Sequence, residues 1–320
     1  MSQTLYIHGP IICCARVEPH LRFLNVVGID EVERRQWNRS ELKQIWGVDA
    51  DFATEIFLAK KGTKFGARLL QISPTSETVI RDPQSGYDAD APKVIDFYTP
   101  DFDRAIEAVE AAGFSMRLHT AQYSLPEGDF KEAHFWAADN FVYALITGPA
   151  DFFDRFATVT DQLFSEPQSL SGPVSDRAPV EQFFKDVFDL DCVYAYDVGD
   201  DSFREMVGAE PTQFKLTARN IGITTKELYF GLIHYGMPRS SYRSLFERAR
   251  LPNLGLIGAS IIVSDIKAII SRAKAGDYEV VSDVQSNVLP GFGSVNMALI
   301  RGPNGGTYQV IQSPQNTGTD

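Results

Sequence analysis

The chain repeats itself, and this repetition limits the fold more than any other feature of its 320 residues. Thr99 to Phe114 (TPDFDRAIEAVEAAGF) and Val263 to Tyr278 (VSDIKAIISRAKAGDY) each set an aspartate thirteen residues ahead of an aromatic, with a glycine between. Asp101 and Asp265 read as N-caps, the apolar residues after them recur at helical spacing, and Gly113 and Gly276 stop each helix. An apolar strand precedes each helix, Val94 to Tyr98 in one copy and Ile257 to Val263 in the other. Downstream each copy has a Leu-Pro pair, Leu125-Pro126 or Leu289-Pro290, and closes with a hairpin turned by Asp139-Asn140 or by Asn304-Gly305-Gly306. A repeated pattern of strand, helix and strands implies repeated architecture.

The first and third quarters follow the same plan with an insertion. Glu18 to Trp37 parallels Ala178 to Val198, and each then carries an extra short helix, Ser40 to Val48 or Asp201 to Gly208, before two closing strands. The expected fold is α+β, with four βαβββ modules forming two half-barrel domains. The N-terminal domain spans 1–150 (modules 1–92 and 93–150) and the C-terminal domain 151–320 (modules 151–250 and 251–320). Polar, Pro- and Gly-containing seams fall at Thr75 to Pro92, after Pro149, and at Met237 to Asn253.

Composition narrows the partners. With 42 acidic against 30 basic residues the net charge is −12, which opposes nucleic acid and anionic membranes. The densest basic cluster, Arg239 to Arg250, reads as a solvated amphipathic helix or linker. Three cysteines cannot close a disulfide framework, and the neighbours Cys13 and Cys14 point to opposite faces of a strand. No stretch reaches the length of a membrane span and the N-terminus lacks a basic leader, so a cytoplasmic location is expected. The sequon Asn38-Arg39-Ser40 reads as a loop leading into a helix.

The segment from Gly258 to Val280, followed by Ala298 to Gln312, resembles the signature of the vicinal oxygen chelate superfamily, which includes glyoxalases, bleomycin-resistance proteins and extradiol dioxygenases. Gly172 to Leu190 is similar to the same pattern one module earlier. The resemblance implies a divalent ion held by a His on one module's first strand, a His or Gln from a partner module and a Glu on a final strand. Here the matching positions hold Gly258 and Ser169 on first strands, Gln309 on the last strand of module four, and Val94 and Ala144 in module two. Glycine has no donor, and serine and amides are poor ligands for such an ion. Neither a metal nor any other cofactor is therefore expected.

The candidate catalytic residues are His234, Tyr196, Lys215 and Gln309, with Phe292, Tyr194, Ser169 and His8 expected to bind substrate. A histidine at a strand end can be tuned across neutrality, and Tyr194 and Tyr196 alternate so that both face one side. His134 and His119 make weaker cases, and His20 reads as a surface residue. The leading expectation is a metal-independent lyase or isomerase acting on a small aromatic or carbonyl-bearing molecule. One alternative is a metal-dependent glyoxalase- or dioxygenase-type enzyme with unusual ligands such as His8, His234 and Glu227. Another is a non-catalytic binding or resistance protein. A small-molecule ligand is the expected partner, and the resemblance implies a homodimer.

Overall fold

The structure is a computed structural model that describes residues 3–210 and 214–312. The first module comprises β1 (Thr4–Cys13), α1 (Val17–Val26), β2 (Ile29–Asn38), a short α2 (Arg39–Glu41) running into a π-turn (Leu42–Trp46), β3 (Phe52–Lys60) and β4 (Gly66–Ser73). The second has β5 (Val94–Tyr98), α3 (Phe102–Ala111), β6 (Ala121–Leu125), β7 (Gly128–Trp136) and β8 (Val142–Thr147), followed by α4 (Ala150–Phe153). The third has β9 (Pro167–Pro173), α5 (Ala178–Phe188), β10 (Asp191–Val198), α6 (Asp201–Val207), β11 (Leu216–Gly222) and β12 (Tyr229–His234). The fourth has β13 (Gly255–Val263), α7 (Ile266–Ala275), β14 (Glu279–Leu289), β15 (Gly293–Arg301) and β16 (Thr307–Gln312).

Local chemistry explains most of these boundaries. The Asp101 side chain accepts from the Arg104 N–H at 3.3 Å and Asp265 from the Ala268 N–H at 3.0 Å, so both expected caps form. Asp139 and Asn140 both take positive φ, 61° and 62°, as a tight turn between β7 and β8 requires. Both inserted helices end on left-handed glycines, Gly47 and Gly208.

Two eight-stranded sheets result, and each joins modules from opposite halves of the chain. One runs β14-β15-β16-β13-β1-β4-β3-β2 and the other β10-β11-β12-β9-β5-β8-β7-β6. Module one thus pairs with module four and module two with module three, through antiparallel contacts of first strands, β1 with β13 and β5 with β9. The sheets do not follow the consecutive halves 1–150 and 151–320. Within each module the first strand pairs in parallel with the last, which leaves its other edge open. All four open edges are alike, so the choice among them falls to tertiary packing.

The largest apolar cluster draws on both sheets and on α1, α3, α5 and α7. On β5, Ile95 and Phe97 join it, while Val94 and Asp96 face the other side. Cys13 and Cys14 do take opposite faces, each in a different core cluster.

One other expectation is corrected. His20 is fully buried, with Nε2 3.0 Å from Asp139 Oδ2 and Nδ1 3.3 Å from the Tyr143 hydroxyl, because α1 lays that face against the β7–β8 turn. Of its two expected forms the Arg239–Arg250 segment takes the linker, a strap of turns with one 3₁₀ turn at Arg239–Ser241. Arg243 pairs with Asp88 at 2.8 Å and Arg248 with Asp82 at 3.1 Å, so its charges tie it to the 75–92 seam.

Candidate active site

Strand register decides which side chains reach the concave face of the second sheet. His134 lies opposite Ala144, Ala144 opposite Asp96, Asp96 opposite Ser169 and Ser169 opposite Tyr229. Opposed positions share a face, so these residues form one row across five strands. The next row holds Trp136, Val142, Val94, Ser171, Gly231, Asn220 and Tyr194. A Cβ on Gly231 would lie 2.7 Å from Ser171 Cβ, so the row closes this tightly only around glycine.

Above these rows lies a cleft that opens to solvent. Phe152 and Phe153 of α4, Phe203 of α6 and the tyrosines 123, 196 and 229 supply aromatic walls. The segment after Pro149, expected as a polar seam, is thus a wall of the cleft, with Phe152, Phe153 and Phe156 all buried. Aromatic walls over a few fixed polar groups are the usual make-up of a small-molecule site.

The polar groups are buried and strongly perturbed. Asp96 accepts from the Ser169 hydroxyl. Burial and the neighbouring Glu132 push its carboxyl up to about 7. Glu132 is also pushed up to about 7, by burial, although the Tyr123 hydroxyl donates to it at 3.2 Å. His134 Nε2 lies 2.7 Å from Glu132 Oε1, and burial, with Lys93 and Arg117 nearby, holds the imidazole down at about 3. His134 Nδ1 has no hydrogen-bond partner. Lys93, just ahead of β5, is buried and its ammonium is held well below the usual lysine value, by desolvation first and then by Arg117 and Arg81.

The sequence candidates divide around this cleft. Tyr196, Tyr194 and Ser169 line it, and the Tyr194 hydroxyl donates to Glu127 at 3.2 Å. His234 does not, because Tyr229, Ile233 and Tyr235 of the same segment face the cleft and the alternation turns His234 outward, where it joins a shallow surface hollow with Arg177 and Arg219. Lys215 is also turned out, exposed and 3.9 Å from Asp197. Gln309 and His8 belong to the first sheet and Phe292 to its β14–β15 turn, and the pairing of modules one and four separates all three from this cleft. Glu227 pairs with Lys64 at 2.5 Å and not with His8 or His234.

The first half-barrel is filled. Its concave side packs Trp37, Trp46, Leu70, Met297 and Leu299. Gln309 accepts from Ser260 at 2.7 Å, and His8 stacks on Phe57 with Phe292 edge-on beside it. Arg68 and Glu55 form a fully buried ion pair, with Trp37 Nε1 donating to Glu55 at 2.8 Å. Gly258 has no room for a ligand side chain, since a Cβ there would sit 2.0 Å from the Thr307 carbonyl oxygen.

The residues present do not fit the divalent ion that the resemblance implies. At the matched positions the first strands hold Val94, Ser169 and Gly258 and the last strands Ala144 and Gln309, which supply only a hydroxyl and an amide. Among the described residues no group of three or more His, Cys, Asp or Glu side chains is arranged to hold a metal.

Asp96, Glu132 and Lys93 are site residues that sequence reasoning missed. Two signals carried them: a charge inside the apolar run KVIDFY, and the i, i+2 pair in EAHFW that puts Glu132 and His134 on one face.

Two curled sheets, each built from two βαβββ modules, define the fold of the vicinal oxygen chelate superfamily. Glyoxalase I from Zea mays superposes with a TM-score of 0.61 over 96% of this chain and 92% of its own, at 13% identity. A protein named "putative dioxygenase" from Bacillus subtilis gives 0.56 over 98% and 87%, at 12% identity. At these identities the likeness is one of fold. No family model matches the chain, and neither does any curated protein.

Proposed function

We propose that this protein is a lyase or isomerase that moves a proton on a small aromatic, carbonyl-bearing molecule held in the second half-barrel, without a metal. One observation carries this reading: two buried carboxyls, Asp96 and Glu132, share an aromatic cleft and both hold their protons up to about pH 7. General acid–base catalysis is most efficient when the group's proton affinity lies near the working pH. One carboxylate takes a proton from the carbon beside the carbonyl and becomes an acid, while the neighbouring carboxylic acid gives its own proton elsewhere and becomes a carboxylate. The Tyr196 phenol, held protonated by burial and by Glu132, donates to the carbonyl oxygen as negative charge develops there. Asp96 and Glu132 thus take the roles expected for His234, Lys215 and Gln309.

The test is proton exchange. Aryl ketones and aryl keto acids are incubated with the protein in D₂O, and loss of the α-proton signal is followed by NMR. We expect exchange with at least one such compound, reduced on the order of 100-fold or more in Asp96→Asn or Glu132→Gln. Compounds that bind tightly without exchange or turnover would make this a binding protein. Near-stoichiometric metal in the purified protein would remove the metal-free reading. A homodimer belongs to the same reading, and sedimentation at several concentrations tests it.

A further inference from the structure

Three cations at the start of β5, beside the cleft that Lys93 lines, each carry one buried nitrogen without a partner. Lys93 Nζ, Arg81 Nη1 and Arg117 Nη1 are all buried without a hydrogen-bond partner. Chain path and register put them together at the start of β5. The other guanidinium nitrogens of Arg81 donate to the carbonyls of Ala89, Asp90, Ala91 and Pro92, immediately before Lys93. The Arg117 N–H donates to the His134 carbonyl at 2.6 Å, and its guanidinium lies 4.8 Å from the Trp136 ring, in the same row as Val94.

The nearest acids are engaged elsewhere. Asp88 pairs with Arg243 at 2.8 Å, Asp90 accepts from the Leu245 N–H at 2.5 Å, and Glu132 holds His134 and Tyr123. A buried donor left unpaired is costly, so the cluster is built for a partner.

We infer that this cluster is an anion subsite, and that the ligand is a small aromatic carboxylate whose carboxylate rests on Lys93 with Arg81 and Arg117 behind it. This narrows the substrate class of the function proposed above and rests on its choice of cleft. A monoanion fits better than a phosphate dianion, because Asp96 and Glu132 face the same space. Burial first, and then repulsion from Arg117 and Arg81, disfavours the charge on Lys93 in the empty cleft. An arriving carboxylate reverses that balance, so binding should draw a proton onto the amine.

Calorimetric titration with phenylacetate and phenylacetamide isolates the charge, since the two differ little in size. Phenylacetate should bind on the order of tenfold tighter or more, as expected of a charge-assisted contact. Repeating the titration in buffers of different ionisation enthalpy should show uptake of up to about one proton. Lys93→Met should bring phenylacetate down to the amide's affinity and abolish the uptake, while Lys93→Arg should keep the preference. A thermal melt of each variant shows that it is folded.

Equal affinity for acid and amide would overturn the inference. So would an acid preference that persists in Lys93→Met, or no binding of phenylacetate at millimolar concentration. No turnover is read here, and His234→Ala, outside the cleft, should retain the acid preference. Failure of the proton-transfer chemistry and failure of the anion subsite therefore give different results.

Discussion

Glu132 and His134 stand two residues apart on β7 with their side chains 2.7 Å from each other, yet they do not form an ordinary ion pair. Burial drives their proton affinities in opposite directions, the carboxyl up to about 7 and the imidazole down to about 3. The imidazole is therefore neutral at physiological pH. Its Nε2 shares a proton contact with Glu132, and Nδ1, which no protein group meets, is left for a ligand.

Proton transfer should follow this pair and Asp96 in its pH dependence. Exchange rates should rise as the first of the two carboxyls ionises and fall as the second does, a bell-shaped profile centred near pH 7. The two carboxyls interact, so the midpoint belongs to both. A pH–rate profile in which Glu132→Gln leaves the midpoint and height unchanged would remove Glu132 from the chemistry.

The same shifts make a stability prediction of definite sign. A carboxyl whose folded proton affinity is raised stabilises the fold fully only below its unfolded value, near 3.8 for Asp96, and that contribution is lost as pH rises through about 7. Asp96→Asn should therefore melt higher than the parent at pH 8, by roughly 1–3 kcal/mol, and show little gain near pH 4. Equal melting curves at pH 8 would mean that Asp96 ionises without penalty.

The first half-barrel should respond to loss of charge pairing. Glu55→Gln leaves the fully buried Arg68 guanidinium without its counter-charge, at a cost of roughly 3–5 kcal/mol by urea denaturation. Binding in the second half-barrel should be unaffected once the variant is folded.

Gly258→Ala tests why that half-barrel carries no ligand side chain there. The added methyl would meet the Thr307 carbonyl, and overpacking of this kind costs roughly 1–3 kcal/mol. A fully stable variant would show that β13 and β16 can separate freely.

His234→Ala and Lys215→Ala should leave both exchange and phenylacetate binding unchanged, because alternation on β12 and at the start of β11 turns these residues away from the cleft. A large loss of exchange in His234→Ala would return that residue to the site.

The modules themselves were legible in the sequence because their signals are local. Asp101 and Asp265 cap helices through bonds to residues three positions on, Asp139-Asn140 turns a hairpin, and Tyr194 and Tyr196 share a face by strand alternation alone. The pairing of modules one with four and two with three was not legible, because every first strand offers the same open backbone edge and nothing in a strand names its neighbour. That pairing moved Gln309, His8 and Phe292 away from the cleft and filled the hollow around them with Trp37, Trp46 and Met297. It also placed β5 beside β9, which put Asp96 against Ser169 and aligned both with His134. The sequence determined four modules and the faces of their strands. Tertiary structure decided which faces meet, and burial then shifted the proton affinities, because the cost of a charge depends on the dielectric and the neighbours that packing supplies.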